Sequence, residues 1–104
     1  MPAQVTVIYP SASDAKFDMD YYLSSHMPLV QKLWGPAGLK GWKVIKFGDD
    51  APYSVQATLE WDSMEDFQKA AAGEHTKEIM GDVTNFSNQH PHLMPGEVVG
   101  SATV

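Results

Sequence analysis

The chain has 104 residues, with thirteen acidic side chains against seven basic ones, a net charge of −6 and no cysteine. Lack of thiols excludes disulfides, thiolate nucleophiles and cysteine-held metal or iron–sulfur sites. The acidic balance, with no cluster of basic residues, argues against a nucleic-acid partner. No basic-then-apolar leader opens the chain and no apolar run reaches membrane-spanning length, so no membrane partner and a cytoplasmic location are expected.

Residues 1–104 read as a single domain, long enough to bury a core unaided. Residues 4–9, QVTVIY, alternate Val5, Val7 and Tyr9 against Gln4, Thr6 and Ile8, which is the period of a strand. PSASDAK is a turn-rich loop, and Asp18 can cap a helix over residues 19–34. GPAG at 35–38 ends that helix, with Gly35 suited to a left-handed position. GWKVIKFG, residues 41–48, predicts a second strand, and DDAP a turn. In YSVQATLEW, residues 53–61, Tyr53, Val55, Ala57, Leu59 and Trp61 alternate without a break with polar neighbours. Asp62 or Ser63 then caps a helix that Gly73 interrupts, and EHTKEIMGDV forms a second helical piece. TNFSNQHPHLMPG is expected to be irregular, and EVVGSATV a final strand.

The resulting order, βαββαβ, is the ferredoxin-like pattern: an α+β fold whose four-stranded antiparallel sheet carries its helices on one face. The uncovered face is mixed rather than polar. Ile8 falls there, and the second strand carries Trp42 and Val44 on one side, Ile45 and Phe47 on the other. A partly apolar free face implies a partner sheet, hence a homodimer.

The first helix raises a sharper question. At about 100° per residue, Met19, Leu23, Val30, Leu33 and Trp34 share a face, flanked by Tyr22 and Met27. Tyr21 falls outside it, as an interface or surface residue. His26 lies near the middle of the apolar stripe, pointing at the presumed core. Two residues on, Pro28 has no N–H for the carbonyl of Ser24 and crowds it. A restart at Pro28 would leave Met27 as a poor cap, so the expectation is a kink that lifts the helix off the sheet beside His26 and leaves a pocket there.

The segment FDMDYYLSSHMPLV, with Phe17, Tyr21, Tyr22, His26, Met27, Pro28 and Leu29 in order, resembles the amino-terminal signature of the EthD family, named for an ether-degradation protein. GDVTNF, with Asp82, Asn85 and Phe86, is similar to the family's later D-x-x-N-F segment. The resemblance spans essentially the whole chain. It implies a dimeric α+β barrel, related to small monooxygenases and lactone isomerases that often act without metal or organic cofactor in a pocket between sheet and helices.

On that basis the expected function is a cofactor-independent enzyme, of isomerase, dehydratase or oxygenase type, acting on a small apolar or aromatic compound. His26 is the expected catalytic acid/base, with Tyr22, Trp34, Trp61, Asn85 and Phe86 as candidate substrate contacts. The alternative is a non-catalytic protein that binds a hydrophobic intermediate of an oxygenase pathway. Each candidate also has a structural role open to it. His26 and Tyr22 can be satisfied core residues, Trp34, Trp42 and Trp61 packing anchors, and Asp82 and Asn85 ties within the irregular connection. His90 and His92 have strand-like spacing without a third ligand, so no metal site is expected. A haem-binding relative would set a histidine over an apolar cleft, a role open to His26 or His75. Nothing else supports haem, and no cofactor is expected.

Overall fold

The computed structural model describes residues 2–104, and its elements follow the expected order. Strand β1 (Ala3–Pro10) leads to α1 (Met19–Tyr21), a π-helical turn (Tyr22–His26) and α2 (Met27–Trp34). A 3-10 turn (Gly35–Ala37), β2 (Leu39–Lys46) and β3 (Tyr53–Trp61) come next. Then follow α3 (Met64–Ala71), α4 (His75–Gly81), a second 3-10 turn (Asp82–Asn85) and β4 (His92–Glu97). Among the described residues no helix is long and apolar enough to cross a membrane.

The sheet is antiparallel throughout, in the order β2-β3-β1-β4. Val5 faces Leu59 and Val7 faces Ala57 across β1 and β3. This register puts one alternating set on the helix side, where Val5, Tyr9, Val55, Ala57, Leu59 and Trp61 are all buried. Period-two sequence therefore becomes one continuous apolar layer, and the register cannot slip by one residue without turning that layer to solvent. Tyr22, Met27, Val30 and Trp34 of the first helical stretch, Phe67 and Ala70 of α3, and Ile79 of α4 close the core from above. On the opposite face Ile45 and Met94 stand exposed among polar neighbours, while Ile8 is buried.

Three sequence expectations need correction. The last strand is HLMPGE, not EVVGSATV. Pro95 and Gly96 disguise it, but β4 is an edge strand, where proline is tolerated. The left-handed position after the first helix is Gly38, at φ 125°, whereas Gly35 keeps helical angles and opens a 3-10 turn. A Cβ at Gly38 would also meet the Asp66 carboxylate oxygen at 3.0 Å.

The third correction concerns Pro28. The helical run continues through this position without a break. It widens into a π turn in which the Met27 N–H bonds the Tyr22 carbonyl, five residues back. One extra residue in the turn gives the proline ring a place near the start of α2, where a missing N–H costs least. It also advances the helical phase. Tyr22 and Met27 are both 1 % exposed, whereas Leu23, assigned to the buried stripe at 3.6 residues per turn, is 43 % exposed.

Candidate functional site

His26 ends the π turn with its ring in the core, as the apolar stripe predicts, and is 5 % exposed. A buried imidazole needs partners. Nδ1 lies 2.9 Å from the Asp82 Oδ2. The other Asp82 oxygen accepts from the Tyr21 hydroxyl at 2.7 Å and from the Asn85 side-chain amide at 2.8 Å. Asp82 opens the 3-10 turn after α4, and Asn85 closes the same turn. The two distant segments are tied by backbone as well. The Asp18 N–H donates to the Phe86 carbonyl at 2.7 Å, and Phe17 bridges to Ser87. Asp18 caps α1 by accepting from the Tyr21 N–H at 3.0 Å, which fixes where Tyr21 starts toward Asp82.

Two aromatic rings, themselves 4.8 Å apart, pack against the imidazole. Tyr22 stacks on it, with centroids 5.3 Å apart and planes within 13°. Phe86 packs at 4.6 Å, and Phe17 and Tyr9 extend the cluster behind. Burial pushes the His26 pKa below the ordinary 6.5, and this outweighs the opposing pull of Asp82. Burial alone would raise Asp82. The hydrogen bonds from Asn85, Tyr21 and His26 prevail and hold its carboxyl below the usual value. An ionised carboxylate only accepts, so the Nδ1 of neutral His26 carries the proton and Nε2 is the basic nitrogen. Burial likewise pushes both the Tyr9 and Tyr22 hydroxyls, which bond each other, above the usual tyrosine range, so both stay neutral.

The same His26 lines a cavity between sheet and helices, together with Val5, Val7, Tyr22, Trp34 and Val83. Its volume is ≈ 30 Å³, room for about one water molecule. A void therefore lies beside His26, but it is of water size, not the open pocket expected from a kink at Pro28. Met80, Pro91 and Leu93 complete its wall between α4 and β4, and Met80 and Leu93 stand partly in solvent.

Of the sequence candidates, Tyr22 and Trp34 join His26 on this wall. Trp61 packs behind Trp34, with ring centroids 5.6 Å apart. Phe86 backs the imidazole, and Asn85 is turned to Asp82; both border a shallow surface depression instead of the cavity. Sequence reasoning placed Tyr21 at an interface or surface, whereas it stacks on Phe86 and bonds Asp82. Asp82 itself was read as a loop tie. Its pairing with His26 crosses 56 positions, and only the shared D-x-x-N-F signature gave any hint of it. His75 is half-buried at the start of α4, and His90 and His92 are exposed. No group of three potential metal ligands occurs among the described residues.

No protein of curated function matches the chain significantly. An EthD-like protein from Ralstonia eutropha is 31 % identical, with a TM-score of 0.84 over 98 % of this chain and 96 % of that one. An ethyl tert-butyl ether degradation family protein from Bacillus halodurans is 22 % identical, with a TM-score of 0.72 over 95 % of this chain and 100 % of that one. SnoaB, a cofactor-independent oxygenase from Streptomyces nogalater, shares the fold at 11 % identity and a TM-score of 0.65, over 96 % of this chain and 94 % of that one. The profile of the EthD domain matches residues 10–90, and the chain belongs to the EthD family.

Proposed function

We propose that the protein is a cofactor-independent enzyme that moves a proton on a small apolar or aromatic compound, with His26 as the general base. The observation that carries this reading is a buried His26 on the wall of an otherwise apolar cavity, with Asp82 bonded to its Nδ1. Neutral His26 takes a proton at Nε2 from an acidic C–H or O–H of the substrate. Asp82, bonded at Nδ1, stabilises the imidazolium that forms. The proton then returns to another atom of the substrate or to a leaving hydroxyl. Isomerisation, dehydration and cofactor-free oxygenation share this first step, which a positioned base accelerates on the order of 10²–10⁴-fold. Tyr21, Asn85, Tyr22 and Phe86 act as positioning residues: the first two hold Asp82 and the rings hold His26. Substrate entry requires Met80 and Leu93 to swing aside, and their partial exposure and the flexibility of methionine favour that motion.

The reading extends to the assembly. Ile45 and Met94 on the sheet face opposite the helices suit a second copy of the chain, giving a homodimer in the cytoplasm whose two cavities lie on the outer sides of the paired sheets.

A thermal-shift screen of small aromatics, lactones and ethers, followed by turnover assays on the compounds that bind, tests the proposal. Wild type is expected to turn over a bound compound and His26→Ala to lose turnover while retaining binding. Equal turnover in the variant overturns the catalytic role. The second reading, a binding protein for a hydrophobic intermediate, is favoured by the lack of another free acid or base on the cavity wall, and binding without turnover in wild type would establish it.

A further inference from the structure

The segment VVGSATV, residues 98–104, has the composition of a strand: three valines and a threonine, with no charged residue. Among the described residues it makes only one backbone bond, from the Val98 N–H to the Pro2 carbonyl at 2.9 Å, and it joins no strand. Val99 is 87 % exposed and Val104 fully so. Val98, Val99 and Gly100 surround a depression together with Gln4, Thr6 and Met94, on the sheet face opposite the helices. The segment therefore leaves β4 on the side where a second copy is expected.

The far edge of the sheet is free to receive a strand. β2 pairs with β3 alone. The Phe47 N–H bonds the Ser54 carbonyl at 2.9 Å, and amides alternate in direction along an antiparallel strand. Those of Trp42 and Val44 consequently point away from the sheet. β2 carries Lys40, Lys43 and Lys46, three of the chain's seven basic residues, and no acidic one. Beside its first half lies a groove of ≈ 410 Å³, lined by Gln31, Gly35, Leu39, Lys40, Gly41 and Trp42. A free edge beside a groove is where an extended peptide adds to a sheet.

The segment cannot pair with that edge in its own chain. Glu97, Ala3, Trp61 and Leu39 form one row across the sheet. To lie outside β2, residues 98–104 would have to cross about 19 Å, which takes about six residues of extended chain and leaves too few to pair. A second copy brings the edge closer. When two uncovered faces meet about a two-fold axis along the strands, the order β2-β3-β1-β4 is reversed between copies. Glu97 of one copy then stands opposite Leu39 of the other, about 10 Å away. Val98–Gly100 can span that gap, Gly100 can turn the chain back along β2, and Ser101–Val104 reach the groove. The two Lys43 side chains fall on opposite margins of such an interface.

We propose that residues 98–104 form an arm exchanged between two copies of the chain, with Ser101–Val104 adding as a fifth strand to the free β2 edge of the partner. This rests on the homodimer reading and names the segment and the edge that lock it.

Sedimentation velocity reads the dimer, and amide exchange by NMR reads the arm. The expected result is a dimer in which the Trp42 and Val44 amides, with some of those in 101–104, exchange about tenfold or more slowly than in an unstructured peptide. In mixed dimers of labelled and unlabelled copies, Val104 methyl signals should show contacts to β2 of the other copy. Of Ser101→Pro and Ala102→Pro, one removes an N–H that faces β2 and should weaken dimerisation about fivefold, the other less; both positions are exposed in the single chain, so neither threatens its core. A dimer whose segment exchanges freely and whose affinity neither proline alters overturns the arm and leaves the homodimer standing. Protection with contacts only within one copy also overturns the arm. A monomer overturns both.

Discussion

Removing the Asp82 carboxylate should separate its structural from its electronic role. Asp82→Ala takes an acceptor from three donors at once: the His26 Nδ1–H, the Tyr21 hydroxyl and the Asn85 amide. Tyr21 and Asn85 sit near solvent and can turn to water. The His26 N–H cannot, since the ring is 5 % exposed and packed against Tyr22 and Phe86. An unsatisfied buried donor costs about 1–3 kcal/mol, and in a domain of this size each kcal/mol lowers Tm by about 4–8 °C. Asp82→Asn keeps an acceptor oxygen for Tyr21 and Asn85 and turns an amide donor toward Nδ1. It should cost less than about 1 kcal/mol, yet it forces the imidazole proton onto Nε2, removing the base. Guanidinium unfolding of both variants, with turnover on any identified substrate, is the assay. The expected pattern is a large stability loss with alanine, and a small one with asparagine accompanied by lost activity. An alanine variant as stable as wild type would refute the claim that this carboxylate satisfies a buried imidazole.

The sign of the pH dependence follows from the depressed His26 pKa. The unfolded chain binds the proton first as pH falls, so stability present above 6.5 is lost as pH drops from 6.5 through the lower folded value. Asp82 acts in the same direction, but only below about its ordinary 3.8. Wild-type Tm should therefore decline between pH 7 and 5, with a shallower decline in His26→Gln; equal slopes would contradict this. Pro28→Ala returns an N–H to the helix, but Tyr22 and Met27 remain pinned in the core on either side of the π turn. It should retain the fold with a stability change within about 1 kcal/mol, measured by chemical unfolding; a loss above about 3 kcal/mol would mean that the proline itself holds the turn. Gly38→Ala meets both a positive φ and the Asp66 carboxylate, and should cost more than about 1 kcal/mol. An unchanged unfolding midpoint would show that the backbone there relaxes without penalty.

Much of this architecture was legible in the sequence because its signals are local. Unbroken alternation in 53–61 gives β3 without reference to the rest of the chain, and the boundary glycines and caps bracket the helices. β4 was missed because its evidence is not local. Its proline and glycine look like loop until the strand is known to be at an edge. The buried face of the first helix was misread at Leu23 because a fixed 3.6-residue period cannot register an inserted π-turn residue, although the proline that accompanies it was visible. His26 stood out as a polar residue in an apolar stripe, while Asp82 lies on a different element and no spacing rule connects the two.

The central claim is that His26 is a neutral base with its proton fixed on Nδ1 by Asp82. Long-range ¹⁵N correlation spectra of the imidazole across pH 4 to 8 on wild-type protein read this directly. The expected result is a protonated Nδ1 and bare Nε2 at pH 7, with a protonation midpoint below 6.5. A proton on Nε2 at neutral pH, or a midpoint above 6.5, would contradict it.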